Sequence, residues 1–160
     1  MTRRRQIAVV GAGGCEEGSE AWDLAREVGR LLAEADAVVV CGGHGGVMEA
    51  ASAGAREAGG TVVGIIPGIS TDEANPHCTH VVATGIGHAR NLAVVASGEA
   101  VIAIGGEWGT LAEIAFARRL GRTVAALSSW TLEGQGEMAS APGVIAVSSA
   151  AEAVTTALDA

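Results

Sequence analysis

Short unbroken apolar runs alternate along the chain with longer stretches in which apolar residues recur every three or four positions. The runs cover residues 6–10, 37–41, 61–66, 80–84, 101–104, 123–127 and 144–147. Apolar stretches of this length, bounded by glycine or polar residues, read as strands buried on both faces. Between them, residues 19–35 place Trp22, Ala25, Val28 and Leu32 on one stripe, with Glu20, Asp23, Arg26, Glu27, Arg30 and Glu34 on the other faces. That spacing predicts a helix lying on a sheet. Further helices are predicted over residues 47–58, from Arg90 to about Ser97, from Thr110 through LAEIAFARRL, and after Ser149, where Ser149-Ala150-Ala151-Glu152 has capping-box spacing. Regular alternation of strand and helix predicts an α/β fold, a doubly wound parallel sheet of Rossmann-like type, in one domain over residues 1–160.

Glycine-rich turns follow three of the strands. Gly11-Ala12-Gly13-Gly14 leaves the first, Gly42-Gly43-His44-Gly45-Gly46 the second, and Gly105-Gly106-Glu107-Trp108-Gly109 the fifth, with Thr110 in the position of an N-cap. Such turns bring backbone N–H groups and the positive end of a helix dipole to one place, a preference worth roughly 0.3–1 kcal/mol for an anion. In a doubly wound sheet they converge beyond the carboxyl ends of the strands, at the topological switch. The candidate phosphate-binding residues are therefore Gly13, Gly14, Gly42, Gly43, Gly45, Gly46, Gly105, Gly106, Trp108, Gly109 and Thr110. The first loop, GAGGCE, lacks the last glycine of a GxGxxG fingerprint, which argues against an ordinary NAD enzyme. Residues 67–79 read as a long polar loop crossing the sheet and residues 128–142 as a mobile loop.

Composition narrows the partners. Hydrophobic residues make up 49% of the 160, enough for a packed core without disulfides or metals. The three cysteines, Cys15, Cys41 and Cys78, are unclustered and read as reduced thiols of a cytoplasmic protein. Arg3-Arg4-Arg5 precedes an apolar stretch too short for an export signal, and no run approaches the ~20 residues of a membrane helix. With 10 basic residues, all arginine, against 18 acidic ones, the net charge is −8, so a nucleic-acid groove is not expected. A small phosphorylated ligand is compatible, its charge met locally by amides and one or two arginines.

The densest chemistry lies in Ala89-Arg90-Asn91 and Ile104-Gly105-Gly106-Glu107-Trp108-Gly109-Thr110-Leu111-Ala112-Glu113. Their order resembles the "Lonely guy" (LOG) superfamily of Rossmann-like proteins, formerly described as possible lysine decarboxylases. The smaller branch that includes molybdenum-cofactor carrier proteins is the most similar. Ile104 stands where the superfamily has proline, and the loop is one residue longer, departures that bear on the ligand more than on the fold. The resemblance implies that Arg90 and Glu113 are catalytic, in a hydrolase that splits a nucleoside 5′-monophosphate into base and ribose 5-phosphate. Its alternative is a non-catalytic carrier with molybdenum cofactor, a phosphorylated pterin, as bound ligand. No cofactor is required for the hydrolysis, and a homodimer or homotetramer is expected.

Each assignment has a plainer counterpart. Thr110-Leu111-Ala112-Glu113 is also a T-x-x-E capping box, which would explain Glu113 without catalysis. Arg90 could simply pair with a carboxylate such as Glu113. Trp108 could serve as a platform for a purine or pterin ring, or as a lid over apolar neighbours. His44 and His88 lie in glycine loops where they could meet phosphate, whereas His77, Cys78 and His80 fit no zinc spacing, so no metal site is expected.

Overall fold

The computed structural model describes residues 3–133 and 143–160. Among them seven strands form one parallel sheet: β1 (Gln6–Gly11), β2 (Val38–Cys41), β3 (Val62–Ile66), β4 (His80–Ala83), β5 (Ala100–Ile104), β6 (Val124–Leu127) and β7 (Val144–Val147). Their order across the sheet is β4-β3-β2-β1-β5-β6-β7. The chain thus builds outward from β1 to β4, returns, and sets β5 on the other side of β1. The topological switch lies between β1 and β5, which pair from Ile7–Ala100 to Gly11–Ile104.

Five helices cover the sheet. Helices α1 (Glu20–Glu34), α2 (Val47–Glu57) and α5 (Ala150–Leu158) pack on one face, and α3 (Arg90–Ser97) and α4 (Trp108–Arg119) on the other. The strands alternate between these layers. Ile7 and Val9 of β1 join the core under α1, α2 and α5, while Ala8 and Val10 join the core under α3 and α4. This double burial is why the strands read as unbroken apolar runs, each buried Val or Ile adding roughly 1.5–3 kcal/mol.

Helix α1 begins where the pattern predicts it, with Ser19 Oγ accepting from the Trp22 amide. It packs against α2 with almost no side chain between the backbones. A methyl group on Gly29 would strike the Ala51 carbonyl, and one on Gly54 the Arg26 carbonyl. The β3–β4 connection carries no α-helix: residues 67–79 cross as a loop with one 3-10 turn, Thr71–Glu73, capped by Ser70. No helix among the described residues is long and apolar enough to cross a membrane.

Of the loop expected over residues 128–142, residues 134–142 lie outside the described residues. The described part is fastened to the β5–α4 turn, Ser129 Oγ donating to Gly105 O at 2.6 Å and Trp130 Nε1 to Glu107 O at 3.2 Å.

Candidate functional site

Beyond the carboxyl ends of β1 and β5 lies an open cleft of about 190 Å³. Gly11, Ala12 and Gly13 form one wall, Gly42 and Met48 the next, and the starts of α3 and α4 close it with His88, Arg90, Asn91, Glu107, Gly109, Thr110 and Glu113. A volume below the roughly 300 Å³ of a pocket for a whole drug-sized ligand suits one end of a ligand, such as a phosphate and the group bearing it.

The glycines position this cleft in different ways. Gly42 and Gly13 line it, whereas Gly14, Gly43, Gly45 and Gly46 do not. Gly46 instead locks two loops together: it has φ +64°, and a methyl group there would lie 2.7 Å from the Gly13 carbonyl oxygen. The Val47 amide then donates to Ala12 O at 2.9 Å, fixing the start of α2 on the first glycine loop. Gly105 and Gly106 face a separate shallow pocket with Ser128, Ser129, Trp130 and Thr131.

Helix α4 starts earlier than the sequence predicts. Its N-cap is Glu107, without a side-chain cap bond, so Thr110 is the third helical residue and not the cap. Glu113 accordingly sits in the second turn, out of reach of the N-cap amide, and the T-x-x-E capping box does not form. With no side chain spent on capping, the first amides of α4 lack intrahelical partners at the cleft wall. Trp108 lies outside the cleft lining: the residue is 76% exposed and its ring packs on Trp130, centroids 5.4 Å apart.

Arg90 opens α3 and is buried, only 8% exposed. Its Nη1 donates to Asn91 Oδ1, but its buried Nε finds no hydrogen-bond partner among the described residues. Nor does a described carboxylate stand within ion-pair distance, so the plainer alternative, a salt bridge to Glu113, is not formed. Burial lowers the Arg90 pKa, an effect opposed by the negative charges of Glu113 and Cys41. Glu113, also 8% exposed, is pushed up to about 7 by burial, against the pull of the Arg90 cation. His44 is held below its ordinary range by burial and by the same cation. Burial is thus the main influence on these groups, and the Arg90 cation acts on both Glu113 and His44.

Met48 and Glu107 were not among the predicted site residues. Met48 falls in the apolar pattern of α2, and Glu107 reads as one more polar loop residue; both reach the cleft through loop curvature that no local pattern encodes. Among the described residues no group of three His, Cys, Asp or Glu side chains could hold a metal ion.

Comparison with known proteins agrees with this architecture. An uncharacterized protein of Archaeoglobus fulgidus is 47% identical over 122 residues, covering 76% of this chain and 79% of that protein. The molybdenum cofactor binding protein of the phototrophic bacterium Rippkaea orientalis superposes with a TM-score of 0.83 at 30% identity, over 97% of this chain and 96% of that one. The molybdenum cofactor carrier protein of Chlamydomonas reinhardtii does so with a TM-score of 0.84 at 29% identity, over 98% of each chain. The profile of the SLOG cluster4 family matches residues 4–154, and the chain belongs to that family.

Proposed function

We propose that this protein is a non-catalytic carrier that binds the phosphate of a phosphorylated pterin of the molybdenum-cofactor type at the β1–β5 cleft. The observation that carries the reading is Arg90, a buried guanidinium with an unpartnered Nε at the start of a helix. A cation there is poorly placed against the helix dipole and lacks a carboxylate, and an anionic ligand would relieve both. Gly13 leaves the backbone bare for close approach, Gly42 makes room for Met48 and the Arg90 guanidinium, and the free amides of α4, with Gly109 and Thr110, supply donors at the same cleft. The likeness to the two molybdenum-cofactor proteins favours a pterin over a nucleotide. Trp108 and Trp130 would lie beside a ring projecting from the cleft.

The second reading is hydrolysis of a nucleoside 5′-monophosphate to base and ribose 5-phosphate. One observation favours it: Glu113 is a buried carboxyl, with its pKa raised to about 7, lining the same cleft as Arg90. At the anomeric carbon, such a carboxylate would stabilise the developing ribosyl cation and orient water.

Mass spectrometry of small molecules released by denaturing the purified protein, together with an AMP hydrolysis assay, separates the two. A phosphorylated pterin in the released fraction and no adenine formed from AMP are expected. Adenine release by the wild type that falls at least ~100-fold in Glu113→Gln would overturn the carrier reading and establish the hydrolase.

The exposed apolar side chains Leu92 on α3, Phe116 on α4 and Leu120 at its C-cap support assembly into a homodimer or homotetramer through this layer. Sedimentation at micromolar concentration showing monomer alone would remove that part of the proposal. A reduced, cytoplasmic setting without nucleic acid fits the free thiols and the net charge of −8.

A further inference from the structure

Two thiols meet beside the cleft without belonging to it. Cys41 ends β2 and is fully buried, while Cys78 lies just ahead of β4 and is partly buried, both in the core under α1, α2 and α5. Between them β3 carries Gly64, the strand partner of Cys41. The missing side chain is what lets the sulfurs approach: a methyl group on Gly64 would lie 2.6 Å from Cys78 Sγ. The Cys78 sulfur thus fills the place of the absent side chain, on the strand next to Cys41, whose own thiol lies 3.5 Å from Ser52 Oγ.

Both cysteines are wired to the second glycine loop. Cys41 is followed directly by Gly42, which lines the cleft. Cys78 donates its amide to Asn75 O at 3.3 Å, and Asn75 in turn clamps the loop, its amide donating to Gly43 O at 2.7 Å and its Nδ2 to His44 O at 3.0 Å. An S–S bond of ~2.05 Å is far shorter than any non-bonded approach of two sulfurs, so forming it across Gly64 must draw Cys78 toward β2, and Asn75 carries that movement to the loop.

We propose that Cys41 and Cys78 form a reversible dithiol–disulfide site whose closure resets the glycine loop 42–46 at the rim of the cleft. The site does not depend on which ligand the cleft holds. The oxidant is a low-molecular-weight disulfide such as glutathione disulfide. Loss of one proton from the more accessible Cys78 leaves a thiolate. That thiolate attacks glutathione disulfide, forming a mixed disulfide and expelling one glutathione thiolate, which takes up the proton. Cys41 then gives up its own proton, attacks the Cys78 sulfur and expels the second glutathione. Two protein thiols lose two electrons, one glutathione disulfide becomes two glutathione thiols, and the protons balance.

The test is equilibration of the full chain in glutathione redox buffers, alkylation of the remaining thiols, and peptide mapping without reductant. At the oxidising end, the expected product is a Cys41–Cys78 cross-linked peptide with Cys15 still alkylated, and reduced glutathione should reverse it. Cys15→Ser should leave the cross-link intact and Cys78→Ser should abolish it; the partly buried Cys78 is the safer position to change than the fully buried Cys41. Free thiols at the oxidising limit, a glutathione adduct on Cys78 that never resolves, or a cross-link through Cys15 would each overturn the site. Amide hydrogen exchange over residues 42–46 reads the coupling, with at least a ~3-fold change expected between the reduced and oxidised forms. Identical exchange in the two forms would overturn the link to the cleft while leaving the disulfide itself to stand on the mapping.

Discussion

The outer surface of α1 and the mouth of the cleft both carry arginine, and they treat it in opposite ways. On α1, Arg26 reaches Glu57 of α2 at 2.7 and 3.2 Å, and Arg30 bridges Glu27 and Glu34 within its own helix. These side chains are about half exposed, every cation has a carboxylate, and water screens the rest. Arg90 has the reverse environment, buried and without a carboxylate. A fold this rich in glutamate could have supplied one. The difference separates charge that finishes a surface from charge held ready for something outside the chain.

Replacing Arg90 by methionine should sharpen that contrast most. Affinity for a phosphorylated ligand, with AMP as probe in calorimetry, is expected to fall at least ~30-fold, the loss of a buried charged hydrogen-bond partner being worth roughly 2–5 kcal/mol. The melting temperature should hold or rise, since an uncompensated buried cation is removed. A fall in melting temperature with affinity retained would make Arg90 structural. Gly109→Val comes next. A side chain there meets nothing within 4 Å and the position lines the cleft, so the fold should tolerate it while affinity drops on the order of tenfold, about 1.4 kcal/mol. Unchanged affinity would move the anion away from the start of α4.

Glu113 makes the comparison depend on pH. Its folded-state pKa of about 7 lies above the ordinary 4.5. Between those values the folded chain holds a proton that the unfolded chain has released, so this group's contribution falls as pH rises through the window and levels off above it. Glu113→Gln should therefore gain stability relative to wild type as pH rises from about 4.5 to 7, with a constant difference beyond. Chemical denaturation at several pH values measures this, and a flat difference would place an ionised Glu113 in the folded state throughout. An incoming phosphate raises the carboxyl's pKa further, so AMP binding near pH 7 should take up protons in the wild type but not in Glu113→Gln. Calorimetry in buffers of different ionisation enthalpy distinguishes the two.

Strand positions and the wound topology were legible because the inner strands of the sheet are buried on both faces and leave continuous apolar runs, as in Val101-Ile102-Ala103-Ile104, while the edge strands β4 and β7 are partly exposed. The convergence of the first and second glycine loops with the start of the Arg90 helix followed from the switch-point rule, whereas Glu113 was assigned to the site only by the resemblance. What misled was local chemistry. Thr110-Leu111-Ala112-Glu113 has perfect capping-box spacing, yet Gly106 and Glu107 bend the chain so that the helix starts at Trp108 and the threonine hydroxyl lies over Gly106. Those three extra helical residues turn Trp108 outward onto Trp130, a residue 22 positions away in sequence whose approach no periodicity announces. The Cys41–Cys78 contact was hidden for the same reason, since it depends on a bare Gly64 in the strand between them.

The smallest expected effect tests the other half of the comparison. Arg26→Ala removes both hydrogen bonds to Glu57, but each partner is about half exposed and regains water when the other leaves. Contact between α1 and α2 is maintained elsewhere, where Gly29 and Gly54 bring the helix backbones together and any side chain would collide with a carbonyl. The melting temperature should shift by less than about 4 °C and AMP affinity should not change. Gly29→Ala, a smaller chemical change in the same helix pair, should cost far more, because the obstacle is main chain that cannot turn aside. If Arg26→Ala instead destabilises the protein as strongly as Gly29→Ala, the surface ion pairs hold the helices together, and the division between finishing charge and waiting charge is wrong.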